Sequence, residues 1–169
     1  MIEQGKYEEG VGHIRQGVAA HRDTGVKLAR PYFLAVLAEA YGKVGQGEEA
    51  LAVLTEALAL VKHKDERMWE AELDRLRGEL MLTQSRVQRR ESRVQKEAEE
   101  CFQQAVEVAR QQQAKSLELR AVMSLSRLWQ EQGKKEEARQ MLLEIYDWFT
   151  EGFDTKDLQE AKALLEELS

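Results

Sequence analysis

Apolar residues recur at spacings of four and three after each of three similar phrases. Gly45-Gln-Gly-Glu-Glu-Ala50 leads into Leu54 and Ala57, Gly133-Lys-Lys-Glu-Glu-Ala138 into Leu142 and Ile145, and Gly5-Lys-Tyr-Glu-Glu-Gly10 into Ile14 and Gly17. That spacing places each set on one face of a helix. Each phrase therefore predicts a turn and a helix start: the glycine supplies left-handed backbone that closes an earlier helix, and the Glu pair sits where a helix dipole favours negative charge. A fourth copy without the glycine runs from Lys96-Glu97-Ala98 into Phe102 and Ala105. The small anchors Gly10, Ala50, Ala98 and Ala138 are 40, 48 and 40 residues apart, so the middle unit holds eight extra residues.

A second helix is predicted before each turn. Leu34, Leu37, Ala38 and Tyr41 form its inner stripe in the first full unit, and the same frame falls on Gly78 and Met81, then on Ser126 and Trp129. A small residue lets two helices approach closely, and a large one three positions on fills the gap beside it. Leu73, Leu76 and Leu80 form a ladder one position off this frame. Pro31 predicts a helix that starts at about Arg30 or bends there.

Repetition at this length signals a helical solenoid. The expected organisation is one all-α domain over 1–169: a half-repeat at 1–22, repeats at 26–62, 64–112 and 115–150, and a capping helix at 155–168. The half-repeat has no partner helix before it, which suggests a chain cut from a longer protein. The insertion near 85–93 lies within a stretch, Thr83 to Gln95, carrying four arginines against one glutamate. It reads as a docking loop or anion contact, or as a solvated loop or helix extension. At the other end, Asp154 and Thr155 cap a helix whose apolar stripe is Leu158, Ala161, Leu164, Leu165 and Leu168, expected to sit on the aromatic cluster from Tyr146 to Phe153.

Charge and chemistry narrow the functional classes. The net charge of −6 disfavours a generic nucleic-acid binder and an anionic membrane surface. Neither a long apolar run nor a signal-peptide pattern occurs, so the expectation is a soluble, cytoplasmic chain. Cys101 is the only cysteine, and His13, His21 and His63 lack partners at ligand spacing, so no metal site is expected. The glycines punctuate turns and lack a phosphate-loop ending. No cofactor and no catalytic constellation are expected.

The run of a small slot at Ala38, Tyr41, Gly45, Ala50, Leu54 and Ala57 resembles the tetratricopeptide repeat, TPR. Ser126, Trp129, Gly133, Ala138, Leu142 and Ile145 match it again, and Gly78, Met81, Ala98, Phe102 and Ala105 match without the turn glycine. The longer period is similar to extended repeats in large bacterial signalling ATPases and transcription regulators. More narrowly, Ala29-Arg-Pro-Tyr-Phe-Leu-Ala-Val-Leu-Ala-Glu-Ala-Tyr41, Gln113-Ala-Lys-Ser-Leu-Glu-Leu-Arg-Ala121 and Trp148-Phe-Thr-Glu-Gly-Phe-Asp154 resemble the C-terminal repeats of bacterial proteins with cyclase-like and AAA-type ATPase domains.

The resemblance implies a right-handed superhelical solenoid whose first helices line a concave groove that binds a peptide or helix of a protein partner. Matching positions are Tyr32, Glu39 and Lys43, then Glu72, Arg75 and Glu79, then Arg120, Met123, Arg127 and Glu131. Arg120 and Arg127, with Arg75, suit the carboxylates of an acidic peptide, or else pair with local glutamates. Two further readings stand beside it. One is a regulatory or ligand-sensing region controlling an ATPase or cyclase domain of a parent chain. The other is self-association, with a homodimer formed through Ile2, Val11, Ile14 and Val18 of the half-repeat.

Overall fold

Three turns in the computed structural model of the protein use one backbone device. Gly45 and Gly133 adopt φ of 80° and 81°, and Gln113 takes the same left-handed slot at 56°. In each turn the next amide reaches back to the last helical turn: Gln46 N–H to Tyr41 O at 2.9 Å, Ala114 N–H to Ala109 O at 2.9 Å and Lys134 N–H to Trp129 O at 2.8 Å. These bonds satisfy carbonyls that a helix end leaves open. The structure describes residues 2–23, 29–63, 67–88 and 91–169.

Those residues form α1 (Ile2–Asp23), α2 (Arg30–Lys43), α3 (Gly47–His63), α4 (Glu70–Gln88), α5 (Glu91–Gln111), α6 (Lys115–Glu131), α7 (Lys135–Tyr146) and α8 (Lys156–Glu167), with a 3-10 turn Arg67–Trp69 before α4. No strand occurs among the described residues. Pro31 sits in the first turn of α2, where its missing N–H leaves no bond broken, so the helix starts at Arg30 without a bend. Glu48 and Glu49 open α3, and Glu136 and Glu137 open α7, as the dipole favours.

Two sequence expectations change. Gly5 to Gly10 lies inside the continuous helix α1 and makes no turn. Lys6, Tyr7, Glu8 and Glu9 are all compatible with helix, and a glycine in a helix interior costs only about 1 kcal/mol. The extra residues of the middle unit lengthen both its helices: α4 reaches Gln88 and α5 starts at Glu91. Residues 89–90, and the break predicted at Thr24 and Gly25, lie outside the described residues.

Helices pair as α2 with α3, α4 with α5 and α6 with α7, and the first members α2, α4, α6 and then α8 stand in a row. The small slots decide how close each pair comes. Ala38, Gly78 and Ser126 are all buried, and Ser126 Oγ–H donates to Ala138 O across its pair at 3.2 Å. Across from them, Ala50, Ala98 and Ala138 are fully buried, followed by Leu54, Phe102 and Leu142. The off-frame ladder Leu73, Leu76 and Leu80 turns instead toward the preceding repeat, packing with Leu34, Leu54 and Val61. One face of α4 thus serves its own partner helix and an adjacent face serves the repeat before it.

Gly78 shows how tight the slot is. A Cβ there would stand 2.5 Å from Phe102 Cε1, and Phe102 is enclosed by Ala98, Leu125 and Leu128. Replacing a helical glycine with alanine normally gains about 1 kcal/mol, but overpacking a ring that cannot retreat costs about 1 to 3 kcal/mol. Gly78→Ala is therefore expected to lower stability in a denaturant melt. Gly10→Ala, whose Cβ would meet nothing within 4 Å, is expected to raise it; equal gains at both sites would contradict the packing.

The large residue of the third unit does more than fill a gap. Trp129 packs against core residues of two adjoining clusters, and its Nε1–H donates to Glu99 Oε1 on α5 at 2.8 Å. Gln132 Nε2 and Lys134 Nζ reach the same carboxylate at 3.3 and 3.6 Å. Burial raises the Glu99 pKa, and the bonds from Trp129, Gln132 and Lys134 outweigh it, so the net shift is downward. A carboxylate with a depressed folded pKa contributes stability above its unfolded pKa and loses that contribution as pH falls through the folded value. The melting temperature should thus drop on acidification below the ordinary glutamate range near pH 4.5, and by less in Glu99→Gln. An equal drop in both proteins would remove Glu99 from the explanation.

Candidate functional site

The row of first helices brings the predicted groove residues onto neighbouring elements with different degrees of access. Tyr32, at the start of α2, is exposed and lies 4.7 Å from the Trp69 ring and 5.5 Å from Phe33. Further along α2, Glu39 binds Lys43 at 2.8 Å on an open surface. Met123 is 3% exposed and belongs to the core between α6, α7 and α8. Its side chain turns inward and away from the open face. Glu131 is exposed at the end of α6.

Arg75 is also enclosed, at 7% exposure, and its bonds lie within α4 and reach Ser124 on α6. Its guanidinium donates to both oxygens of Glu72, Nε to Oε2 at 2.9 Å and Nη2 to Oε1 at 2.8 Å, and through Nη1 to Glu79 Oε1 at 2.6 Å. Ser124 Oγ–H on α6 donates to the same Glu79 oxygen at 2.7 Å. Arg120 reaches Glu72 Oε1 at 3.0 Å from α6 and stands 3.9 Å from Asp157 on α8. Arg127 stands 3.4 Å from Glu160, also on α8. Burial depresses the Arg75 pKa, but the bonds and charges of Glu72 and Glu79 more than reverse this, so it stays protonated. The bidentate geometry with Glu72 is the arrangement a planar fork holds best.

Every arginine expected to await an acidic peptide therefore has a carboxylate of this chain beside it. The ionic ladder runs from α4 through α6 to α8, and its outer rungs are open to solvent. Asp157 and Glu160 were not among the sequence candidates. Their signal is a pair of acids three apart on the last helix, which only the stacking of α8 beside α6 brings to the arginines.

A depression opens where α2 and α4 converge. Its volume is about 200 Å³, and Glu39, Lys43 and Glu79 surround Leu76, Leu80, Gly42 and Thr83. The approach is close because Gly42 has no side chain: a Cβ there would lie 2.5 Å from Leu80 Cδ2. Burial raises the Glu39 pKa, but its bond to Lys43 and the fields of Lys43, Arg75 and Arg120 outweigh this, so the net shift is downward and Glu39 is ionised beside the depression.

Other candidates have plainer surroundings. Cys101 is half-buried, and burial pushes its thiol pKa up, which disfavours the reactive thiolate. No group of three or more His, Cys, Asp or Glu residues able to hold a metal occurs among the described residues. No described helix is long and apolar enough to cross a membrane. On α1, Val11 is buried and Ile14 and Val18 are half-buried against α2, while the exposed positions include Glu8, Glu9, His13, Arg15 and Gln16. The Ile2 side chain lies outside the described residues.

The stacked pairs, the small slots and the end helix define an all-α, right-handed TPR-like superhelical solenoid. Crystal structures of the nearly identical TPR-like repeats of a Podosopora anserina protein assigned as a kinesin light chain share this fold. One superposes with a TM-score of 0.63 at 22% identity, covering 98% of this chain and 79% of that one. A glutamine-to-methionine variant of those repeats gives 0.59 at 22% identity, covering 98% and 86%. No protein-family model matches the chain, and neither does any curated protein.

Proposed function

We propose that the protein is an interaction module that holds a peptide or helix of a protein partner against the row α2, α4, α6 and α8. The observation that carries this reading is the depression between α2 and α4, where Glu39, Lys43 and Glu79 frame an apolar floor of Leu76 and Leu80. An apolar side chain of the partner fills the floor, and the polar rim fixes the orientation of the partner's backbone by hydrogen bonds. The helices are already ordered by their core, so the partner bears most of the ordering cost. Arg120 and Arg127 contribute at the edge by exchanging Asp157 and Glu160 for partner carboxylates. Such exposed pairs contribute about 0 to 1 kcal/mol each, so exchanging them is inexpensive.

Peptides selected from a random library on the immobilised protein test this. Thr83→Trp fills the depression from an exposed position, and the swap Glu39→Lys with Lys43→Glu keeps the helical ion pair while reversing its field. Both are expected to weaken the selected peptides by on the order of 10-fold. Peptides that bind both variants as well as the parent protein would place the binding surface elsewhere.

A further inference from the structure

Among the described residues five large apolar side chains are exposed: Tyr32, Phe33, Met68, Trp148 and Phe153. All stand on the edge of the solenoid where the second helix of one pair hands over to the first helix of the next. Among the described residues beside the first three, Arg30 pairs with Glu56 at 2.6 Å and Arg67 with Glu70 at 2.8 Å. The connection between α7 and α8 is different. There Trp148 is 57% and Phe153 47% exposed, and Glu144, Asp147, Glu151 and Asp154 stand exposed around them. None of these four carboxylates has an ion-pair partner among the described residues.

This connection is a built surface. Trp148 and Phe149 amides bond back to Ile145 O and Tyr146 O at 3.3 and 3.1 Å, Gly152 takes φ of 79°, and the Thr155 amide and hydroxyl both donate to Gly152 O. Tyr146 and Phe149 face the core, and the outer rings rest on them: Phe153 lies 5.8 Å from Tyr146, and Trp148 lies 5.1 Å edge-on from Phe149. The nearby cations are already engaged. Lys115 binds Glu118 at 2.7 Å and stands 5.7 Å over the Trp148 ring, and Lys156 stands 3.5 Å from Glu160.

We infer that the α7–α8 connection is a second docking surface, separate from the α2/α4 depression, for a basic amphipathic segment of a protein partner. Apolar side chains of that segment cover Trp148 and Phe153, while its Lys and Arg residues meet the four carboxylates and the open ring faces, which attract cations. Charge selects this occupant over the others. A second copy docking through this same surface would set the same carboxylates against one another within a Debye length, and an anionic lipid surface would meet the same repulsion. Lys115 over Trp148 shows the ring in contact with a cation within the chain itself.

The test is a titration of the full chain with a synthetic Lys/Leu amphipathic helical peptide of about 18 residues, followed by calorimetry, with its Glu/Leu counterpart as control. The Lys/Leu peptide is expected to bind and the Glu/Leu peptide not to bind. Trp148→Ala with Phe153→Ala, and separately Asp147→Asn with Glu151→Gln and Asp154→Asn, should each weaken binding on the order of 10-fold. Neutralising Glu100, Glu166 and Glu167, exposed elsewhere, should leave it unchanged. Circular dichroism melts of all variants establish that they remain folded. Absence of binding, or equal losses on neutralising the distant carboxylates, overturns the proposal. So does a Trp148-dependent dimer in light scattering, or Trp148-dependent binding to phosphatidylserine vesicles in place of the peptide.

Discussion

Arg75→Ala is expected to lower the free energy of unfolding by about 3 kcal/mol in urea denaturation, with Arg120→Ala as comparison. The reason is what remains behind. Glu72 is 7% exposed, and without Arg75 its carboxylate keeps only Arg120, at 3.0 Å, as a charge partner among the described residues. Leaving a buried charge uncompensated costs about 3 to 5 kcal/mol, and Arg120 holds the loss to the low end. Removing both buried charges gives a different outcome. Glu72→Leu with Arg75→Leu should lose less than the single change, because Arg120 and Glu79 can turn to water and no buried charge is stranded. A double variant much weaker than Arg75→Ala would show that the pair itself carries the stability.

Trp129→Ala is expected to cost about 3 kcal/mol as well, by another route. The indole joins two core clusters on α5, α6 and α7, and its N–H is bonded to Glu99, so truncation opens a void and removes a charge-assisted bond together. Trp129→Phe separates the two contributions. It keeps most of the ring contact and should lose about 1.5 to 3 kcal/mol, the range for a hydrogen bond to a charged group. A loss under about 1 kcal/mol for Trp129→Ala would mean that the ring does not join the repeats, since burial of a large side chain alone contributes more than that.

The arginines differ in what they do for function. Arg75 holds its helix neighbours together through Glu72 and Glu79, so its removal tests stability. Arg120 and Arg127 stand at the open end of the same ladder, 34% and 45% exposed at the side chain, and can exchange partners. A binding defect in an Arg75 variant would therefore need a stability control, whereas one in Arg127 would not.

Much of the fold was legible because it depends on local rules repeated at a fixed distance. Gly45 and Gly133 announce left-handed helix ends, Ala50 and Ala138 announce close contacts, and Leu54 and Leu142 follow at helical spacing. Gly5 carries the same signature without the same outcome, since α1 runs straight through it. The α5–α6 turn shows the converse: Gln113 takes the left-handed slot with no glycine to mark it, where the Ala114 amide bond to Ala109 O and the chain reversal impose it.

The candidate site was less legible, and for a reason of periodicity. A helical spacing assigns residues to a face, but it does not say which neighbour that face meets. Met123 shares α6 with Arg120 and Arg127 yet enters the core, because α7 and α8 close over that side. Arg75 looked like an open groove residue until Glu72, Glu79 and Ser124 enclosed it. Sequence alone determined the repeated helix pairs, the small slots, the turns at Gly45 and Gly133 and the solenoid class, since these follow from backbone sterics and from burial patterns within about 40 residues. Tertiary structure alone decided that α8 sets Asp157 and Glu160 beside the arginines of α6, that α2 and α4 leave a depression between Glu39 and Glu79, and that Trp148 and Phe153 face outward. Each of these depends on how one rigid helix stacks on the next, a geometry set by the summed shape of many side chains and not by any single residue.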